Sequence, residues 1–249
     1  MSDPSLPDRE RADRMLVALG YFDSRAAAQA AIAAGRVRVD GRVIRKPAEP
    51  ISRDAQIEAA PAHPYVSRGG LKLAHALREF GIDPAGLHCL DLGASTGGFT
   101  DVLLQAGAAQ VICIDVGHGQ LHPKVAADPR VISYEGLNAR DLARDQIAAP
   151  PQLIVCDLSF VSLAKVLAAP LSLAAPDAVL IALFKPQFEV GPDHVGKGGI
   201  VTDQQASGRA LQAFLDYLSG IGWRPDEPID SPIEGGDGNR EFLVMARRA

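Results

Sequence analysis

The sequence predicts an α/β protein: a doubly wound, mostly parallel sheet over residues 65–249, a smaller α/β module over 9–57, and a short linker at 58–64 between them. Three observations carry this. From Tyr65 onward, short apolar runs alternate with amphipathic stretches, the pattern of a parallel sheet covered by helices on both faces. One of these runs, CLDL, leads through the glycine-rich turn GASTGG into a helical stretch. Ahead of them all, VRVDGRVI places an Asp-Gly dipeptide between two β-branched runs, a strong hairpin signal.

Within 9–57, Arg9 to Leu19 has helical periodicity. Asp23 or Ser24 can cap a second helix, which runs through an Ala-rich stretch to Ala34 and stops at Gly35. The hairpin follows directly, carrying Arg36, Arg38, Arg42, Arg45 and Lys46. The segment EAAPAHP at 58–64 is short and contains proline, so it reads as a semi-rigid linker. Beyond it, VSRGGLKLAHALREFG predicts an amphipathic helix ending at Gly81. Strands are expected at 88–92, 111–115, 131–134, 153–157, 178–184 and 241–246.

Composition excludes several classes. Of 249 residues, 47% are apolar and 22% charged, enough for a sizeable core and against global disorder. The longest apolar run in the C-terminal half, Ala178 to Phe184, is far short of the roughly 18–20 residues that span a bilayer. The polar N-terminal stretch MSDPSLPDRERADR lacks the apolar segment of a secretory leader, so the expected compartment is the cytoplasm. Cys89, Cys113 and Cys156 lie in or beside apolar runs with no zinc-type spacing; they are expected to be small buried side chains, and no metal is expected. The net charge of −5 is unevenly spread: residues 1–60 balance at +1 and the rest at −6, leaving a locally basic hairpin.

The glycine-rich turn admits three chemistries. A dinucleotide site requires a second glycine where this chain has Ser95. Gly93-Ala94-Ser95-Thr96-Gly97 fits the serine-hydrolase pattern, but it falls on the first strand of the sheet and no convincing acid-then-histidine pair follows. The third pattern, D-x-G-x-x-x-G, fits Asp91, Gly93 and Gly97: a strand-end carboxylate takes the ammonium of a methionine while the glycines, Gly98 included, let the backbone approach the ligand. S-adenosylmethionine is therefore the expected cofactor. Asp115, at the end of the next strand, suits ribose hydroxyls, and Asn138 is the expected adenine contact, with Glu135 and Asp141 as alternatives.

The segment ADRML followed by SRAAAQAAIAAGRVRVDGRVI resembles the S4 RNA-binding domain. That resemblance implies Arg11, Arg14, Ser24, Arg25, Gln29, Arg36 and Arg38 towards RNA phosphates, and Arg68 is counted with them. From Tyr65 on, Lys72, Asp157, Lys185 and Glu241 stand in the order of the Lys-Asp-Lys-Glu tetrad of FtsJ-like 2′-O-ribose methyltransferases. With the motifs SRGGLKL, DLGASTGGFTD, CDLSF, LFKPQFE, GKGGIV and NREF, the whole chain resembles the TlyA group, also labelled haemolysin A. The resemblance implies a Rossmann-like methyltransferase domain behind an S4 domain, ribosomal subunits as partner and rRNA cytidine as substrate.

The residue types suit such a reaction. A ribose hydroxyl must lose its proton as it attacks the sulfonium methyl. A lysine desolvated between an apolar strand and Pro186, and close to Lys72, would have a lowered pKa and act as base or stabilise the alkoxide. Asp157 would orient Lys185 and lie near the methyl group, with Lys72 and Glu241 holding the ribose. Phe160, Phe184 and Phe188 are candidates to stack a base. The loop 191–203, with Lys197, Gly198 and Gly199, reads either as a phosphate or cofactor contact or as a flexible lid. Three other readings stay open: a base-amino methyltransferase, which would carry N/D-P-P-Y/F where Asp157-Leu158-Ser159-Phe160 stands; a non-catalytic RNA-binding protein; and a membrane-lytic haemolysin, which would need an insertion segment not found here.

Overall fold

The computed structural model describes residues 7–249; residues 1–6, part of the polar stretch weighed above as a leader, lie outside the described residues. The chain divides into two compact units between Pro64 and Tyr65.

The first unit runs β1 (Arg9–Arg11), α1 (Ala12–Ala18), α2 (Arg25–Ala33), β2 (Val37–Val39), β3 (Arg42–Val43), β4 (Pro50–Ser52) and β5 (Ile57–Ala59). Ser24 caps α2 by accepting from the Ala27 amide at 3.2 Å. Asp40 and Gly41 both take positive φ (49° and 76°), the geometry a two-residue hairpin turn needs to match the strand twist. Two expectations are corrected. Arg9–Arg11 is a strand, not helix, because it pairs antiparallel with β4. Glu58 and Ala59 belong to β5, which pairs with β2, so the connection is shorter than 58–64. Met15, Leu16, Ala28, Ile32, Val37 and Ile44 pack the core between helices and hairpin.

The second unit holds α3 (Gly69–Glu79), β6 (His88–Leu92), α4 (Gly98–Gln105), β7 (Gln110–Asp115), α5 (Pro123–Ala126), β8 (Val131–Glu135), β9 (Leu153–Cys156), α6 (Ala168–Ser172), β10 (Val179–Phe184), α7 (Gln204–Gly220), β11 (Trp223–Pro225), β12 (Ile229–Asp230) and β13 (Phe242–Arg248). Helix α3 starts at Gly69, three residues later than the sequence periodicity suggests. The sheet order is β11-β13-β10-β9-β6-β7-β8, with β12 also paired to β13. β10, β9, β6, β7 and β8 are parallel; β13 lies antiparallel to β10 and β11. Every residue of β9 and β10 is buried, as expected of strands covered on both faces. Leu90, Ile112, Ile154 and Cys156 face one helical layer, and Cys89, Val111, Cys113 and Val155 the other. All three cysteines are buried and free. No helix of the described residues is long and apolar enough to cross a membrane.

Candidate active site

From β6 the chain moves outward through β7 and β8, then returns to the other side of β6 with β9 and β10. That reversal opens a crevice beyond the carboxyl ends of β6 and β9, where sheets of this type bind ligands. Gly93 leaves β6 there with φ 80°, and a Cβ on it would lie 2.5 Å from the carbonyl oxygen of Asp157. No side chain fits, so the two strand ends stay close enough to share a ligand. Gly93→Ala is expected to force these backbones apart, weakening cofactor binding at least tenfold and lowering stability by about 1–3 kcal/mol; isothermal titration and thermal unfolding check both, and an unchanged Kd would refute the close-approach role.

Two adjoining cavities fill the crevice. The first, of about 410 Å³, is lined by Gly93, Ser95, Asp115, Val116, Asn138, Asp157, Leu158 and Phe160, among others. The second, of about 360 Å³, is lined by Ser67, Arg68, Lys72, Gly93, Ser95, Asp157, Ser159 and Lys185, among others. Gly93, Ser95, Asp157 and Ser159 border both. No histidine of the described residues lines either cavity. Asp115 fixes the turn: its carboxylate accepts from the amides of Ser95 and Gly117, both at 2.7 Å. Those bonds hold Ser95 at φ 47°. Asn138 accepts from the Arg140 amide at 3.1 Å and starts the short turn under the first cavity.

Asp91 does not line either cavity. It is fully buried beneath α4, where the Thr100 hydroxyl donates to its Oδ2 at 2.6 Å and its Oδ1 has no partner. Burial, with added repulsion from Asp157, raises its pKa to about 7 despite the Thr100 bond. The glycines also divide. Gly97 (φ 87°) packs against Leu121 and Val125 and lines neither cavity, whereas Gly98 packs against Ser67 and borders the second cavity.

Beyond the strand ends, four side chains from four elements form two ion pairs. Lys72 of α3 donates to Glu241, just ahead of β13, and both are buried. Lys185, just past β10, sits 2.5 Å from Asp157 Oδ1 and donates to Ser159 Oγ at 2.9 Å. Each lysine has its own carboxylate partner, and both line the second cavity. Ser159 was missed by sequence reasoning; its place two residues after Asp157 in CDLSF was the available signal. Phe160 beside it takes φ 65° and is 91% exposed, its ring 5.1 Å from Phe188. Phe184 is wholly buried in the core, so it cannot stack a base. Lys197, Gly198 and Gly199 line neither cavity. Instead Asn239, almost fully buried, donates to the Gly199 carbonyl at 2.8 Å and accepts from the Val201 amide at 2.9 Å, tying loop 191–203 to the segment that carries Glu241.

In the first unit Arg14, Arg25, Arg36 and Arg38 are exposed and Arg11 half-buried, and they are differently engaged. Arg14 pairs loosely with Glu10 at 3.7 Å, Arg38 donates to the Gly41 carbonyl at 3.2 Å, and Arg36 shares a shallow pocket with Arg38 and Glu58. Arg11, Arg25 and Gln29 converge on one carboxylate, Asp13, which the sequence does not single out. Gln29 therefore points its amide inward, and the Ser24 oxygen is engaged as a helix cap. Arg68 lies in the second unit, on the cavity that holds Lys72 and Lys185.

Residues 65–248 match the family model of the FtsJ-like methyltransferases, and residues 10–57 that of the S4 domain. A Mycobacterium tuberculosis protein named 16S/23S rRNA (cytidine-2′-O)-methyltransferase TlyA is 44% identical over 96% of this chain and 90% of its own. A solved Streptococcus thermophilus structure, of a protein called a hemolysin, is 36% identical with a TM-score of 0.76, covering 97% of this chain and 89% of its own. A solved S-adenosylmethionine dependent methyltransferase from Mesorhizobium loti shares the fold at 19% identity, with a TM-score of 0.54 over 70% of this chain and 96% of its own.

Proposed function

The chain belongs to the FtsJ-like methyltransferase family, and on that premise we propose that it methylates a ribose 2′-hydroxyl of ribosomal RNA, at a cytidine, from S-adenosylmethionine, in the cytoplasm. The observation that carries this reading is the pair of ion pairs, Lys72–Glu241 and Lys185–Asp157, at the mouth of the glycine-turn crevice. A base-amino methyltransferase has no use for two lysines so placed.

The residues fit the cofactor. Asp91 Oδ1 is a buried acceptor without a partner, suited to a cationic amine reached through the turn. The absence of room for a Cβ at Gly93 keeps the backbone flush with the crevice. Asp115 retains lone pairs for ribose hydroxyls, and Val116 and Leu158 supply apolar walls for an adenine. S-adenosylmethionine supplies the electrophilic methyl group.

The chain's own residues do the rest. Having given one proton to solvent, the Lys185 amine meets the 2′-hydroxyl and takes its proton onto the freed Nζ lone pair as the oxygen attacks; Asp157 and Ser159 hold that amine in place. Lys72 and Glu241 brace the neighbouring edge of the ribose. Holding the hydroxyl in line with the methyl supplies much of the acceleration by itself. The exposed Phe160 ring, backed by Phe188, offers a stacking face to an unpaired base beside the reacting ribose. The S4-like unit supplies phosphate contacts from Arg11, Arg14, Arg25, Arg36 and Arg38, and Arg68 adds one beside the reacting ribose.

Incubation with tritiated S-adenosylmethionine and purified ribosomal subunits tests the proposal. The expected label resists alkaline cleavage at one cytidine ribose. Label on a base, or none despite measurable cofactor binding, would overturn the 2′-O assignment.

A further inference from the structure

We propose that Asp13 is a positioning residue for RNA binding, a buried anion that gathers Arg11, Arg25 and Gln29 into one preformed phosphate clamp. This deepens the reading of the first unit as an RNA-binding module and rests on it.

Asp13 opens α1 and is fully buried. Arg11 grips it with two parallel bonds, Nε to Oδ1 and Nη2 to Oδ2, both 3.0 Å. The Arg25 Nη2 donates to Oδ2 at 3.1 Å from the first residue of α2, and Gln29 Nε2 donates to the same oxygen at 2.7 Å from one turn further on. Three side chains from two elements therefore meet at a single carboxylate. The hydrogen bond from Arg11 leads in holding this carboxyl far below the usual carboxylate range, so it is ionised at any working pH.

A buried carboxylate normally pairs with one cation; this one holds two, and both remain substantially exposed, Arg11 at 39% and Arg25 at 51% of their side chains. Two guanidiniums stand against the one buried carboxylate, with Glu10 accepting from the Arg11 amide at 2.7 Å beside them. Without the anion the two guanidiniums would repel and relax into separate rotamers, each losing entropy again on binding. With it, their remaining N–H groups already point outward in fixed planes, the geometry in which arginine forks bind phosphate oxygens. Gln29 adds a fourth donor to the carboxylate, at Oδ2. The energetic role of Asp13 lies in pre-organisation, and no RNA atom touches it.

The test is a double-mutant cycle on the full-length protein, with purified ribosomal subunits as the probe. Asp13→Asn, Arg11→Ala/Arg25→Ala and the triple variant are compared for affinity at several salt concentrations. Asp13→Asn is expected to weaken binding about tenfold and to flatten the salt dependence by about one to two released counterions, with no added loss in the triple variant. S-adenosylmethionine affinity stays at the wild-type value in all three. If the arginine pair matters but Asp13→Asn binds normally, or its effect adds independently, the clamp is refuted and the RNA-binding reading stands. If removing both arginines leaves affinity unchanged, both fall. Should Asp13→Asn fold poorly, Asp13→Glu keeps the charge while displacing both guanidiniums; it is expected to show the same flattened salt dependence, and a loss of stability with normal affinity would assign Asp13 to structure alone.

Discussion

Lys185→Ala is expected to slow single-turnover methyl transfer by about 10²–10⁴-fold, with S-adenosylmethionine affinity within about threefold of wild type. The amine sits between Asp157 Oδ1 and Ser159 Oγ, on the second cavity, and no other amine replaces it: Lys72 is already held by Glu241. Removing it takes away the only proposed carrier of the 2′-proton but leaves the glycine turn and Asp115 unaltered. Asp157 loses its partner, yet it is part-exposed and can recover water, so the protein should still fold. Ser159→Ala provides the graded comparison, because it frees one side of the amine without deleting it; a fall of about three- to tenfold is expected there. A Lys185→Ala enzyme that retains more than a tenth of wild-type single-turnover rate would remove lysine from the mechanism.

The second large effect is on stability. Asp91 has its pKa lifted to about 7 by burial. An unfolded carboxyl titrates near 4. Between these values the folded protein keeps a proton that the unfolded chain releases, so its stability is full below about pH 4, declines as pH rises, and is lowest above about pH 7. Asn at this position cannot ionise. The stability of Asp91→Asn relative to wild type is therefore expected to climb by about 2–4 kcal/mol between pH 4 and pH 8, in urea or thermal unfolding. The unpaired amide of Asn adds a constant penalty, which the pH slope ignores. A difference between the two proteins that stays flat over this range would show that Asp91 ionises freely. S-adenosylmethionine should reverse the trend in wild type: a cationic amine near Oδ1 favours the charged carboxylate, so binding should strengthen with pH and weaken in Asp91→Asn.

The central strands were readable because their signal is physical and redundant. β6, β7, β8, β9 and β10 are apolar runs of strand length between turn residues, and each lies within a residue or two of its expected bounds. β1, β11 and β12 carry no such signal. Two or three residues cannot display a period of two, and Arg9-Glu10-Arg11 forms a strand only because Pro50–Ser52 lies alongside. The tetrad residues were legible as polar side chains at the ends of apolar strands. The grouping of Asp157 with Lys185 and of Lys72 with Glu241 came with the family resemblance, because spacing alone does not encode which strand ends meet. Nor did sequence separate Phe184 from Phe160: one ends a buried strand, while the other, at φ 65°, is 91% exposed. Nothing in the sequence marks Asp13 or Asn239; what distinguishes each is complete or nearly complete burial beside several donors or acceptors.

The bond between Lys72 and Glu241 spans 169 residues, almost the whole of the second unit. Contacts of such separation form late, after the entropic cost of closing the intervening chain has been met by nearer ones. A refolding molecule can thus assemble β6, β7 and the glycine turn, and even gain affinity for the cofactor, while the tetrad is still in two halves. Cofactor capture and catalytic competence should return with separate time constants on dilution from denaturant, the second tracking the docking of β13. Partly folded chains would then be silent passengers that hold cofactor without consuming it.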